Sequence, residues 1–260
     1  MLVDDIRRFR EKLKQGFVLG PFSKTSDPAL IEIMGYAGFD FVIIDLEHGP
    51  VSVETSQNLI RAAQIGGLLS IVRVKEGNLS VIKEVLDIGA GGVQVPQVRS
   101  QYDAKNAVQA ARFAPQGMRG VCRFVRAARY SAEEQFKYFK EANEAILIVQ
   151  VEGKESIECL EEILSVEGID VVFIGPYDLS QSLGLTGRVD HPEVVKKMRE
   201  INEKCLKKGV VVGTFVDTPE DARRWIDAGI RYISYSVDMG IFYNGCSDTV
   251  RRIKEKRDQF

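Results

Sequence analysis

The stretch 146-ILIVQVEGKESIECLEEILSVEGIDVVFIGPYDLSQSLG-184 decides the fold. Two apolar runs, Ile146–Val151 and Val171–Ile174, are too short for helices and rich in β-branched residues, as expected of buried parallel strands. Between them Ser156–Val166 has helical periodicity and is closed by Gly168, which makes one β-α-β unit. A carboxylate follows each strand: Glu152 after the first, Asp178 after the second. Neighbouring strands lie roughly 5 Å apart, so the two acids can converge on one ion. Paired carboxylates suit hard divalent cations such as Mg²⁺ or Mn²⁺, completed by water and an anionic substrate. Read singly, each acid is also an ordinary loop residue, and Asp178 also fits as the cap of a helix starting at Leu179. The alternation along Ile148, Gln150 and Glu152 puts all three on one face and favours a site.

Outward from this unit the pattern repeats. Helix 3–14 precedes a short strand, 17–20, ended by Pro21. The strands that follow are 39–45, 69–74 and 92–95, then the pair above, then 210–215 and 232–237. Helices are expected at 28–38, 55–65, 80–88, 101–113, 132–142, 191–208 and 219–228, with a basic helical tail at 246–257. Eight strands, each followed by a helix, in a chain of 260 residues predict an α/β fold: a (β/α)8 TIM barrel with an extra N-terminal helix. The alternative, an open doubly wound sheet, lacks its dinucleotide signature, because no G-x-G-x-x-G opens a helix. No low-complexity linker interrupts the alternation, so residues 1–260 read as a single domain.

Composition narrows the function classes. The chain is 45% hydrophobic and 28% charged with net charge −2, so no basic field suggests nucleic acid or an anionic membrane. No apolar run reaches the ~18 residues of a membrane span. The N-terminus is a charged amphipathic helix and does not read as a signal peptide. Four scattered cysteines without a C-x-x-C pair read as reduced thiols of a cytoplasmic protein, with no zinc motif.

A barrel of this kind carries its site at the C-terminal strand ends. The residues there are Asp45, Glu47 and His48, then Arg73, Gln94, Gln150 and Glu152, then Asp178 and Asp238. Of two histidines, His191 sits in DHPEV and reads as structural, with Asp190 and Glu193 as a capping box. His48 lies three residues after Asp45, a spacing that permits an Asp–His hydrogen bond and raises imidazole basicity. Arg73 interrupts an apolar strand, and a buried guanidinium needs an anion or several hydrogen bonds. That anion is either a substrate or a neighbouring structural acid. Gly175, Pro176, Tyr177 and Asp178 open a helix whose free N–H groups suit a carboxylate or phosphate. The loop 114–130 carries Arg119, Arg123, Arg126 and Arg129, either a mouth for anions or a solvated, subunit-contacting surface.

The ordered segments IIDLEHGP, IVRV, VQVPQV, GMRGV, LIVQVE, VFIGPYDLSQSLG and DHPEV resemble those of the 4-hydroxy-2-oxoheptanedioate aldolase family. These are class II, metal-dependent pyruvate aldolases, related to 2-dehydro-3-deoxyglucarate aldolase, and the resemblance spans about 16–237. It implies a barrel whose last helix is exchanged between subunits in a homo-hexamer. It implies metal ligation by Glu152 and Asp178, with Gln150 beside the metal. Asp45 and His48 would form an acid/base dyad, and Arg73 would stabilise an enolate. The backbone at Gly175, Tyr177 and Asp178 would hold the pyruvate carboxylate. Tyr177 departs from the resemblance, since the best-known members have a small residue there, and the loop before Tyr130 is richer in arginine.

The expected reaction is reversible cleavage of 4-hydroxy-2-oxo acids to pyruvate and a small aldehyde. The expected cofactor is Mg²⁺, Mn²⁺ or Co²⁺ and no lysine Schiff base is required. Two rivals are an acyl-CoA-ester lyase on the same barrel, for which no CoA cleft is evident, and a non-catalytic keto-acid-binding protein.

Overall fold

The computed structural model describes residues 2–76 and 78–255. Eight parallel strands close into a barrel in chain order. They are β1 (Val18–Ser23), β2 (Phe41–Asp45), β3 (Leu69–Arg73), β4 (Gly92–Val95), β5 (Ile146–Val151), β6 (Val171–Ile174), β7 (Val211–Val216) and β8 (Tyr232–Val237). The outer layer comprises α2 (Pro28–Tyr36), α3 (Val53–Ile65), α4 (Leu79–Asp87), α5 (Gln101–Ala111) and α6 (Gln135–Ala142). It continues with α7 (Lys154–Glu158), α8 (Leu160–Leu164), α9 (Pro176–Ser182), α10 (Pro192–Lys207) and α11 (Pro219–Asp227). Helix α1 (Leu2–Gln15) precedes the barrel and α12 (Asp238–Glu255) follows it.

The strands are buried on both faces, as their continuous apolar runs require. One face, with Val42, Ile44, Val72, Val149 and Val172, packs against the helices. The other, with Ile43, Ile71, Ile146, Ile148, Val171 and Phe173, fills the barrel. At the N-terminal end α1 inserts Ile6, Phe9 and Leu13 into this interior. Phe9 meets Phe41 and Tyr232 edge-on, with centroids 5.9 and 6.3 Å apart, and those two rings stack at 4.3 Å. Each such pair adds about 0.5–1.5 kcal/mol beyond area burial.

Three elements differ from the sequence reading. First, β1 runs through Pro21 to Ser23 because the register against β8 shifts between Gly20 and Phe22, and that irregularity absorbs the missing proline N–H. Gly20 is needed beside it, since a Cβ there would meet the Phe41 carbonyl oxygen at 2.1 Å. Second, the helix expected at 156–166 is two short helices broken at Cys159 (φ −90°, ψ 9°). Third, the tail helix begins at Asp238, directly after β8, with no loop. The end of its expected range, 256–257, lies outside the described residues.

Asp238 closes the barrel seam. Its Oδ2 accepts hydrogen bonds from Ser23 Oγ, Lys24 N and Thr25 N, each 2.9 Å. It is therefore a structural acid with no face on the cleft described below. His191 is itself the N-cap of α10, its Nδ1 accepting from Glu193 N at 3.3 Å, in place of the capping box expected from Asp190.

The arginine-rich loop lies at the wrong end of the barrel to receive substrate. It belongs to the connection from α5 through α6 to β5, and helix-to-strand connections return to the N-terminal face. Arg119 is buried against Asp87 at 2.5 Å, and Arg126 binds the Ile88 carbonyl at 2.9 Å and Gln64 at 2.5 Å. These two hold the loop down. Arg129 pairs with Glu133 at 3.5 Å on the surface.

Candidate active site

The C-terminal strand ends surround a cleft of about 440 Å³. Asp45, His48, Arg73, Gln150, Gly175, Tyr177 and Asp178 line it, together with Phe22, Lys24, Phe173, Pro176, Phe215, Asp217 and Val237. Seven of the eight site residues that the family resemblance implied thus share one cleft. The eighth, Glu152, lies directly behind Gln150.

Register explains the convergence. Asp45 and Arg73 are paired neighbours on β2 and β3, and Arg73 is in turn paired with Gln94 on β4. The guanidinium forks onto Asp45, Nε to Oδ1 at 2.9 Å and Nη2 to Oδ2 at 2.7 Å. Its Nη1 lies 3.1 Å from Glu47 Oε2, and its carbon sits 4.6 Å from the Phe22 ring centre. Two acids and an aromatic face therefore fix the arginine in one orientation, as a planar donor requires. Burial alone would raise the Asp45 carboxyl, but the Arg73 fork outweighs it and holds the group below its usual range. Glu47 goes the other way, pushed up by burial despite Arg73.

The expected side-chain bond between Asp45 and His48 does not form. Asp45 is committed to Arg73, and it receives only the backbone N–H of His48, at 3.3 Å. The imidazole is 60% exposed, with Nε2 3.9 Å from Glu47 Oε2. Three-residue spacing in a tight loop turned the backbone of His48 toward Asp45 and its side chain into the cleft.

On the opposite side an amide relay leads to Glu152. Gln94 Nε2 donates to Gln150 Oε1 at 2.7 Å, and Gln150 Nε2 donates to Glu152 Oε2. Glu152 Oε1 accepts from Gln97 N at 3.0 Å. Gln97 reaches it from a left-handed conformation, φ 54°, immediately after Pro96 ends β4. Glu152 is 2% exposed, and burial, aided by the nearby charge of Asp178, pushes its carboxyl up to about 7. Gly175 packs against it: a Cβ there would sit 2.4 Å from Glu152 Oε2. Only a residue without a side chain leaves room there for the carboxylate.

This donor set fits a hard divalent cation. Glu152, Asp178 and Glu47 repel one another across the mouth, and a cation relieves that repulsion using oxygen donors of the preferred kind. Glu152 and Asp178 would hold it; among the described residues no group of three or more His, Cys, Asp or Glu is placed to hold a metal ion.

Sequence reasoning missed the rest of the wall. Tyr177 Oη donates to Asp217 Oδ2 at 2.7 Å, and its ring meets Phe215 edge-on at 5.9 Å. Burial and Asp217 push the phenol up to about 12, so it stays a donor. Lys24 stands across the cleft without an ion-pair partner among the described residues. Phe215 had read as an ordinary strand residue and Phe22 as part of the loop after Pro21, although an aromatic near a strand end is the signal that would have found the first.

A closed parallel barrel with a fixed arginine and several carboxylates at its C-terminal mouth defines a class, the barrel enzymes that work at that face. The chain belongs, more particularly, to the HpcH/HpaI aldolase/citrate lyase family, whose model matches residues 19–245. It is 34% identical over 239 residues to the hydroxypyruvate/pyruvate aldolase of Cupriavidus necator, covering 92% of this chain and 88% of that one. It is also 34% identical over 253 residues to a 2-keto-3-deoxy-L-rhamnonate aldolase of Escherichia coli, covering 96% and 94%. Among solved structures, an HpcH/HpaI family protein from Burkholderia cenocepacia superposes with a TM-score of 0.90 at 29% identity, covering 95% and 99%. The citrate synthase SbnG superposes at 0.86 and 30% identity, covering 97% and 98%.

Proposed function

We propose that residues 1–260 form one catalytic domain that reversibly cleaves 4-hydroxy-2-oxo acids to pyruvate and a short aldehyde. The family makes the chain a carbon–carbon lyase. The observation that carries the reading is the fixed Arg73 sharing one cleft with Asp178, with Glu152 directly behind Gln150.

A divalent cation (Mg²⁺, Mn²⁺ or Co²⁺) held by Glu152 and Asp178 would supply Lewis acidity to the keto acid. Gln150 holds Glu152 in place through its amide. Arg73, locked by Asp45 and Glu47, offers charge and N–H donors to the oxygen on which negative charge develops. Such a donor need not reorganise as the reaction proceeds. In cleavage, His48 takes the proton of the 4-hydroxyl, and the C3–C4 bond breaks. Its electron pair passes into the pyruvate enolate, and an aldehyde departs; a proton returned to C3 completes pyruvate. Glu47, whose Oε2 lies 3.9 Å from Nε2, is placed to attract the imidazolium in the role that the sequence had given to Asp45. The backbone at Gly175, Tyr177 and Asp178 suits the pyruvate carboxylate.

Helix α12 supports a homo-oligomer, a hexamer by family resemblance. Its Phe242 and Tyr243 are 68% and 70% exposed, and a second copy of the chain would cover them. The four cysteines are free, which fits a reducing cytoplasm. No described helix is long and apolar enough to cross a membrane.

The test is deuterium exchange into pyruvate in heavy water, with and without chelator. Exchange that stops on chelation and returns with Mg²⁺, Mn²⁺ or Co²⁺ supports the proposal. Full exchange in metal-free protein, or none under any condition, overturns it.

A further inference from the structure

A second cavity, of about 140 Å³, shares no lining residue with the cleft. Ala90 and Ala145, just ahead of β4 and β5, place it at the N-terminal face of the barrel. With Ile6 of α1 and Leu86 of α4 they form an apolar wall, and Arg119 and Tyr138 form a polar one.

The polar wall is buried and incompletely satisfied. Arg119 is 5% exposed and Tyr138 4%. One end of the guanidinium is taken: Nη2 donates to Asp87 at 2.5 Å, and the carbon sits 4.6 Å from the Phe113 ring centre. Its Nε has no hydrogen-bond partner among the described residues, and neither has Tyr138 Oη. The two groups feel each other: the Arg119 charge favours the ionised phenol, but burial outweighs it and pushes the phenol up, so it stays a donor. Bare buried donors are costly, and native proteins give nearly all of them an acceptor. Arg129 and Lys137 bring two more cations to the lining, 3.5 and 3.0 Å from the one carboxylate of Glu133. The remaining acids of the lining, Asp4 and Glu141, lie within reach of the Arg7 charge.

We propose that this cavity is a binding site for a short-chain monocarboxylate. The carboxylate accepts from Arg119 Nε and Tyr138 Oη, and the alkyl chain lies on Ile6, Leu86 and Ala90. A bond from a guanidinium to a carboxylate is of the strong, charge-assisted kind. Size sets the chain length: a cavity of about 150 Å³ takes benzene, which corresponds to an acid of about four carbons. Water could meet the two donors but would also wet the apolar wall, which an alkyl chain covers. A second carboxylate on the ligand would be buried against that wall without a partner. The site is independent of the reaction proposed above.

The experiment is an NMR titration of the full-length protein that follows the methyl signal of butyrate and, separately, of its neutral analogue butyramide. Each is run with chelator and again with Mg²⁺. Butyrate binds in both conditions, and butyramide binds roughly tenfold more weakly, the worth of a hydrogen bond that gains from charge. Tyr138→Phe weakens butyrate roughly tenfold and narrows its advantage over butyramide, since the phenol is one of the two donors. Ala142→Leu, which extends a lining residue into the cavity, abolishes binding of both. Absence of butyrate binding in the wild type overturns the inference, as does equal affinity for butyramide. Binding that requires Mg²⁺ places butyrate at the cleft and overturns it too. So does an affinity that neither substitution changes. The wild-type comparisons decide the matter on their own if either variant fails to fold.

Discussion

The two ends of the barrel are built from the same eight strands and obey opposite rules. At the N-terminal end Phe9, Phe41 and Tyr232 stack and interlock, and α1 seals them from water. At the C-terminal end Arg73, Asp45, Glu47 and Glu152 sit partly or wholly buried beside an open cleft. One end gains stability from area removed from water. The other holds charges in low dielectric, where each needs a partner. Stability and chemistry are thus separable along the barrel axis, and substitutions at the two ends should fail in different ways.

The largest expected effect is at the open end. Glu152→Gln should lower aldol turnover by ~10³-fold or more, the several kcal/mol that a bound cation supplies. The melting temperature should hold, since a neutral amide replaces a carboxyl whose ionisation burial disfavours. Melting and turnover measured on one preparation check this; a parallel loss of both would erase the separation. At the sealed end Phe9→Ala should cost about 3–5 kcal/mol by denaturant titration. Its kcat should stay near the wild-type value in the surviving folded protein. Next comes Arg73→Lys, which keeps the charge and loses the fork onto Asp45. A fall of ~10²-fold in turnover is expected, the scale of one lost oxyanion donor. Near-normal turnover would make Arg73 structural.

Gly175→Ala sharpens the contrast with a single methyl group. Its Cβ must displace Glu152, so metal affinity by calorimetry should drop roughly 10- to 100-fold, as for groups that orient a ligand. An unchanged affinity would remove Glu152 from the ligand set. The smallest effect concerns acid. Asp45 is held below its ordinary value of 3.8. Its contribution is therefore complete above that value and lost as pH falls through the lower, folded one. In Asp45→Asn the acid limb of stability against pH should be flatter than in the wild type.

Much of the sealed barrel is legible along the chain because burial on both faces leaves uninterrupted apolar runs, Ile146–Val151 and Val171–Ile174 most plainly. The carboxylates are legible because they break those runs at the ends. Pairings between strands are not. Asp45 and Arg73 lie 28 residues apart and meet only through the β2–β3 register, whereas the nearby His48 offered a more obvious partner. Tyr177 and Asp217, 40 residues apart, meet for the same reason. Pro21 misled because a strand proline normally marks an end, and a register shift cannot be seen in one strand alone. The charge of the loop 114–130 left two readings open; its place past α5 and ahead of β5 decides between them.

The hydrogen bonds of Asp238 bear on how the chain is made. Synthesis delivers β1 first and Asp238 only when the barrel is nearly complete. Until then Ser23, Lys24 and Thr25 have donors without their acceptor, and β1 presents an open strand edge, the kind of surface that neighbouring nascent chains can pair with. Barrel closure therefore waits until β8 and Asp238 have been made. A chain released after Val237 carries all eight strands and still lacks the side chain that joins the last to the first.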